Sequence, residues 1–159
     1  MANRRDFFKL ASASTLAGFM PGIASSTPLP RAALSTSLVV LDRDAQLRKP
    51  GAGIDPSRLL AMLDRTVQAL FDRDSPQEAW RQVVRPGEVV GLKVNCLAGR
   101  GLSTSVALVD AVCERLQQVG IRDIVIWDRL NYDLESARFK IREQGSGVRC
   151  FGNDTLGYG

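Results

Sequence analysis

The sequence predicts a three-layer α/β fold, a mostly parallel, Rossmann-like sheet with helices on both faces. Three observations predict it. Val- and Ile-rich runs short enough to be buried strands alternate with amphipathic segments of about 11 to 16 residues, the signature of βαβ units. The amphipathic segments open on capping residues and close on Gly or Pro, so their boundaries are marked. Of the 159 residues, the first 30 or so read as a leader, and the roughly 130 that remain suit one domain, residues 35–159, with a single core.

The first strand expected is S-L-V-V-L-D, Ser37 to Asp42, a short β-branched apolar run. A turn-rich stretch with Pro50, Gly51 and Gly53 follows. Asp55 then offers an N-cap with Pro56 at the first helical position, and Leu59, Leu60, Leu63, Val67, Leu70 and Phe71 recur at helical spacing. Ser75, Pro76 and Glu78 repeat the start signal in capping-box form, which predicts a short helix carrying Trp80 and Val83 and ending before Pro86 and Gly87. E-V-V-G-L-K-V-N, Glu88 to Asn95, is the second strand, and a Gly-containing loop from Ala98 to Ser103 leads into the next helix. Val106, Val109, Val112, Cys113, Leu116 and Val119 give that helix one apolar face, and Gly120 supplies a left-handed stop. I-R-D-I-V-I-W-D, Ile121 to Asp128, is the third strand. Asp133 to Gln144 reads as a helix with Leu134, Ala137, Phe139 and Ile141 apolar and Gly145 past its end, and V-R-C-F, Val148 to Phe151, is the fourth strand.

Residues 1–30 read as an export signal and lead-in. N-R-R-D-F-F-K, Asn3 to Lys9, resembles the twin-arginine motif: Arg4 and Arg5 are paired, Phe7 and Phe8 are the apolar residues that follow, and Lys9 closes it. The stretch from Leu10 to Met20 is rich in Ser, Thr and Gly and is broken by Pro21 and Gly22, whereas a membrane span needs about 20 strongly apolar residues, so no permanent membrane anchor is expected. Small residues before Ser25 offer a cleavage point. The resemblance implies that the twin-arginine translocation machinery is a partner and that the chain is exported folded, to the periplasm or another extracytoplasmic space.

The formal charge is +4, of which Arg4, Arg5 and Lys9 against Asp6 supply +2, leaving +2 for the rest. Charges are mixed along the chain and aromatic residues make up 6%, so neither the basic tract nor the stacking platform of a nucleic-acid binder is present. There is no histidine, and the three cysteines, Cys96, Cys113 and Cys150, have no C-x-x-C spacing. The chain therefore spells no complete zinc or iron–sulfur motif, no Ser/His/Asp or Cys/His catalytic group, and no named cofactor.

In an open parallel sheet, ligands collect beyond the carboxyl ends of the strands, where helix N-termini aim their unpaired N–H groups. The expected rim holds Asp42, Asn95, Cys96 and Asp128. The loop A-G-R-G-L-S-T, Ala98 to Thr104, adds Arg100 and the hydroxyls of Ser103 and Thr104 beside Ser105, which suits a phosphate or carboxylate; a plain turn before a serine-capped helix explains the same residues. Lys93 interrupts an apolar strand on the same face as Asn95, and so either snorkels to an edge or serves a site. Ligand-binding candidates are thus Lys93, Asn95, Arg100, Ser103, Thr104 and Asp128, with Cys96 as a candidate reactive thiol and Cys113 as core. Asp128 and Asp42 could bind a metal or ribose hydroxyls, or cap the next turn.

From Val84 to Asp128 the run V-R-P-G-E-V-V-G-L-K-V-N, then S-T-S-V-A-L-V-D-A-V, then Q-V-G-I-R-D-I-V-I-W-D resembles the family termed domain of unknown function 362, specifically its exported members with a twin-arginine leader. Gly87, Lys93, Asn95, Thr104, Gly120 and Asp128 fall on its recurring motif positions, and G-V-R-C-F-G from Gly147 continues the likeness; Cys96 departs from it. The resemblance implies an N-terminal portion of a longer family domain, since such members continue past the point where this chain reads L-G-Y-G. The family's activity is largely unassigned. Some relatives carry a separate four-cysteine iron–sulfur module, which has no counterpart here.

The expectation is an exported α/β domain that binds a small anionic ligand or cofactor at the Asn95–Thr104 edge, with a redox or metal link in view. The alternatives are a non-catalytic assembly domain and a truncated, non-functional fragment.

Overall fold

The computed structural model describes residues 37–48, 51 and 53–157. The export signal with Arg4, Arg5, Phe7, Phe8 and Lys9, the lead-in and the last two residues lie outside them. The elements in chain order are α1 Pro56–Phe71, α2 Pro76–Trp80, β1 Val89–Lys93, α3 Val106–Gln118, β2 Asp123–Asp128, α4 Asn131–Ser136, β3 Gly147–Gly152 and a closing 3-10 turn, Asn153–Leu156.

Local chemistry explains most boundaries. Asp55 caps α1 by accepting a hydrogen bond from the Arg58 N–H, with Pro56 opening the helix. Ser75 does the same for α2 through the Glu78 N–H. At the end of α3 the chain turns over at Gly120, whose φ of 96° suits glycine, and the N–H of Ile121 bonds back to the Leu116 carbonyl.

β1, β2 and β3 form a three-stranded, all-parallel sheet in the order β1-β2-β3, with Val89 opposite Asp123 and Asp123 opposite Gly147. β1–α3–β2 and β2–α4–β3 are therefore two successive crossover units, and the α/β class follows the sequence pattern. Alternation along the strands sends Val90, Leu92, Ile124, Ile126, Val148 and Cys150 into the core with Leu116, Ile121 and Leu134. Val125, Trp127 and Phe151 fall on the other face, only partly buried and outside the core cluster. Right-handed crossovers that step the same way across a sheet lay their helices on the same face. The described residues accordingly supply one of the two helical layers expected.

Two element boundaries differ from expectation. Ser37–Asp42 is not a strand: it joins no ladder among the described residues, and Leu38, Val39 and Leu41 are exposed. A β-branched run has strand propensity only as a surface for neighbours to pack on, and among the described residues no strand pairs with it. The helix expected over Asp133–Gln144 stops at Ser136. Beyond it Arg138 adopts φ 74°, and Arg142 forms an antiparallel bridge with Cys150 at 2.7 and 2.9 Å. Ala137, Phe139 and Ile141 are two residues apart, so they satisfy an extended segment as well as a helix, and the extended one wins by pairing with β3.

Candidate functional site

The carboxyl ends of β1, β2 and β3 bring Lys93, Asp128 and Gly152 to one rim. Asp128 is buried there, and both its oxygens are engaged. Oδ1 accepts from Lys93 Nζ at 2.7 Å and from the Arg129 N–H at 2.8 Å, and Oδ2 accepts from the Cys96 N–H at 2.6 Å. Burial pushes this carboxyl up, but the Lys93 ammonium and the two backbone N–H groups outweigh it and hold it below the ordinary carboxylate range. Asp128 thus stays ionised and fastens the chain leaving β1 to the end of β2.

Lys93 snorkels to the sheet edge, the first of the two readings its place in an apolar strand allowed. Its side chain is half exposed at the sheet edge, where it pairs with Asp128, donates to the Val94 carbonyl, and lies 5.4 Å from the centre of the Trp127 ring. Asn95 and Thr104 close the loop between β1 and α3. The Asn95 N–H donates to Thr104 Oγ1 and the Thr104 N–H donates to the Asn95 carbonyl, each at 2.9 Å.

That closure divides the six sequence candidates between two hollows. Lys93, Asn95 and Asp128 line one of about 390 Å³, together with Trp127, Arg129, Asp133 and Asn153. Arg100, Ser103 and Thr104 line a second of about 480 Å³, with Arg48, Arg138 and the first residues of α3. The single pocket expected is therefore two adjoining ones, with the Asn95–Thr104 pair between them. The hydroxyls also work differently from expectation. Ser103 Oγ donates to the Gly99 carbonyl at 2.6 Å, Thr104 Oγ1 is taken by Asn95, and the N-cap residue Ser105 makes no side-chain bond to the helix. No side-chain hydroxyl caps the start of α3, and its first residues, Val106 and Ala107, line the second hollow.

The two hollows differ in charge. Among the described residues, the second is lined by three arginines and no carboxylate. The first is balanced: Lys93 pairs with Asp128, and Arg129 pairs with Asp133, whose Oδ2 accepts from Arg129 Nε at 3.2 Å. Sequence reading missed Arg48, Arg129, Asp133, Arg138 and Asn153. Arg129 and Asp133 carried a legible signal, opposite charges four residues apart at the start of a helix. Arg48 and Arg138 carried none, because only the folding of two distant turns sets them beside Arg100.

Two further candidates are corrected. Cys96 is fully buried, and burial together with the neighbouring Asp128 charge pushes its thiol up to about 11, so it is a core residue rather than a reactive thiol. Burial does the same to Cys113 and Cys150, each up to about 11, and all three thiols are free. Asp42 is absent from the rim because its segment adds no strand; it pairs with Arg65 of α1 at 2.9 Å. Among the described residues no three His, Cys, Asp or Glu side chains gather to hold a metal ion, and no helix is long and apolar enough to cross a membrane. No family model, curated protein or solved structure matches the chain.

Proposed function

We propose that this domain binds a small ligand through a phosphate or carboxylate group, and that the chain is exported folded by the twin-arginine route. One observation carries the binding reading: Arg48, Arg100 and Arg138 line the same hollow as the start of α3, and among the described residues no carboxylate lines it. Arginine forks match the geometry of phosphate and carboxylate oxygens, and the N-terminal end of a helix contributes the equivalent of about half a positive charge. Two features support it. Arg138 holds φ 74°, a conformation that costs a non-glycine residue energy and that recurs where side chains are aimed at a ligand. Gly101, at φ 100°, lines the hollow with no side chain to crowd it.

The test is the melting temperature of the purified chain with inorganic phosphate and with sulfate. The expected result is a rise of a few degrees that grows with concentration and disappears in Arg100→Ala. No rise across both anions and a set of short carboxylates rejects the reading. Export rests on the Arg4–Arg5 pair and the short, weakly apolar stretch after it. Replacing both arginines with lysine is expected to leave the protein in the cytoplasmic fraction, and export of that variant at the original level rejects the route.

A further inference from the structure

The arginine hollow accounts for one end of a ligand, and the hollow beside it carries a different chemistry. We infer that the ligand is a phosphorylated polyol of the sugar-phosphate class, its phosphate among the arginines and its hydroxyl groups in the hollow beyond Asn95. This inference rests on the anion-binding reading above and adds the identity of the uncharged part.

The groups facing the first hollow are matched to hydroxyls rather than to a second anion. Its two cations are each already paired with a carboxylate, Lys93 with Asp128 and Arg129 with Asp133, so no excess of either sign remains. Asp133 is more than nine-tenths buried yet reaches this hollow, and Arg129 engages only its Oδ2; Oδ1 has no hydrogen-bond partner among the described residues. Asn95 uses its amide oxygen on the Leu97 N–H at 3.4 Å and has no bond from its amide nitrogen, while the Asn153 amide has none at either atom, again among the described residues. An open carboxylate oxygen, two open amide nitrogens and an open amide oxygen make a mixed set of acceptors and donors. A hydroxyl group is both, and a set of this kind satisfies several hydroxyls at once where a second anion would meet Asp133. The two hollows are also held in fixed relation. The Asn95–Thr104 hydrogen bonds form the wall between them, with Asn95 facing one and Thr104 the other, so a ligand crossing that wall touches both.

The experiment is a calorimetric titration of the full chain with three probes: inorganic phosphate, ribose and ribose 5-phosphate. The expected result is that ribose 5-phosphate binds at least tenfold more tightly than phosphate, and that Arg100→Ala weakens both. Asn153→Ala, at a partly exposed side chain, is expected to erase the tenfold advantage while leaving phosphate affinity unchanged, and Asp133→Asn to do the same where it folds. Equal affinity for phosphate and ribose 5-phosphate overturns the inference and leaves the anion reading standing. An advantage for the sugar phosphate that survives Asn153→Ala and Asp133→Asn alike also overturns it, since the hydroxyls then lie elsewhere. Binding of neither phosphate compound overturns both.

Discussion

At the scale of the residue, Asp128 does the most to fix the rim. A buried carboxylate is tolerated only where donors replace its lost hydration, and Lys93, Arg129 and Cys96 supply three. Because its folded-state pKa lies below the ordinary value, its contribution is complete above the unfolded-state pKa of about 4 and is lost as pH falls through the folded one. Asp128→Asn keeps the shape but sets an amide nitrogen against donors. The variant is expected to lose about 2 kcal/mol of unfolding free energy at neutral pH, with the gap to the parent narrowing below pH ~4. Urea titrations of both proteins at pH 7 and at acid pH check this; a gap that is absent at pH 7, or unchanged in acid, contradicts the role. Paired contacts brace both ends of β1. Lys93 and Asp128 are paired, Asn95 and Thr104 are bonded to each other, and Gly87 and Gly120 hold φ of 86° and 96° while the Gly87 N–H donates to the Gly120 carbonyl.

At the scale of the element, legibility followed how local the determining forces are. α1, α2 and the end of α3 were readable because Asp55, Ser75 and Gly120 act on backbone groups a few residues away. β1, β2 and β3 were readable because a strand buried on one side and flanked by helices must be apolar whatever its neighbours are. The segment Ser37–Asp42 was misread because strand formation needs a partner's backbone, and nothing in S-L-V-V-L-D says whether one is there. The end of α4 was misread because Ala137, Phe139 and Ile141 fit either period, and the deciding pair, Arg142 with Cys150, is a tertiary contact. Another tertiary contact fastens the helices to one another. Arg115 of α3 grips Asp64 of α1 with Nε and Nη2 at 2.7 and 2.6 Å, a two-pronged bond that sequence spacing does not announce. The candidate site shows the same division. Its strand-end residues could be listed from the sequence, but not their partition into two hollows, which depends on the Asn95–Thr104 bonds, nor the company of Arg48 and Arg138.

At the scale of the whole domain, the parallel sheet gathers the polar ends of its strands on one rim, and the loop after β1 splits that rim by charge. Among the described residues, the half beside α3 carries an excess of positive charge with no acid to cancel it, and the half beside α4 is neutral and rich in open hydrogen-bonding groups. The other face of the sheet carries Val125, Trp127 and Phe151, and of these Trp127 also lines the neutral hollow; Lys93 lies over Trp127, and Arg149 lies 6.0 Å from the Phe151 ring centre. The anion we propose would seat at the start of α3 among Arg48, Arg100 and Arg138. The measurement that reaches it most directly is an amide-resolved nuclear magnetic resonance titration with inorganic phosphate. Saturable shifts are expected to concentrate at Gly101, Ser103 to Ala107 and Arg138. Shifts that concentrate elsewhere on the domain, or none that saturate, would contradict the proposal.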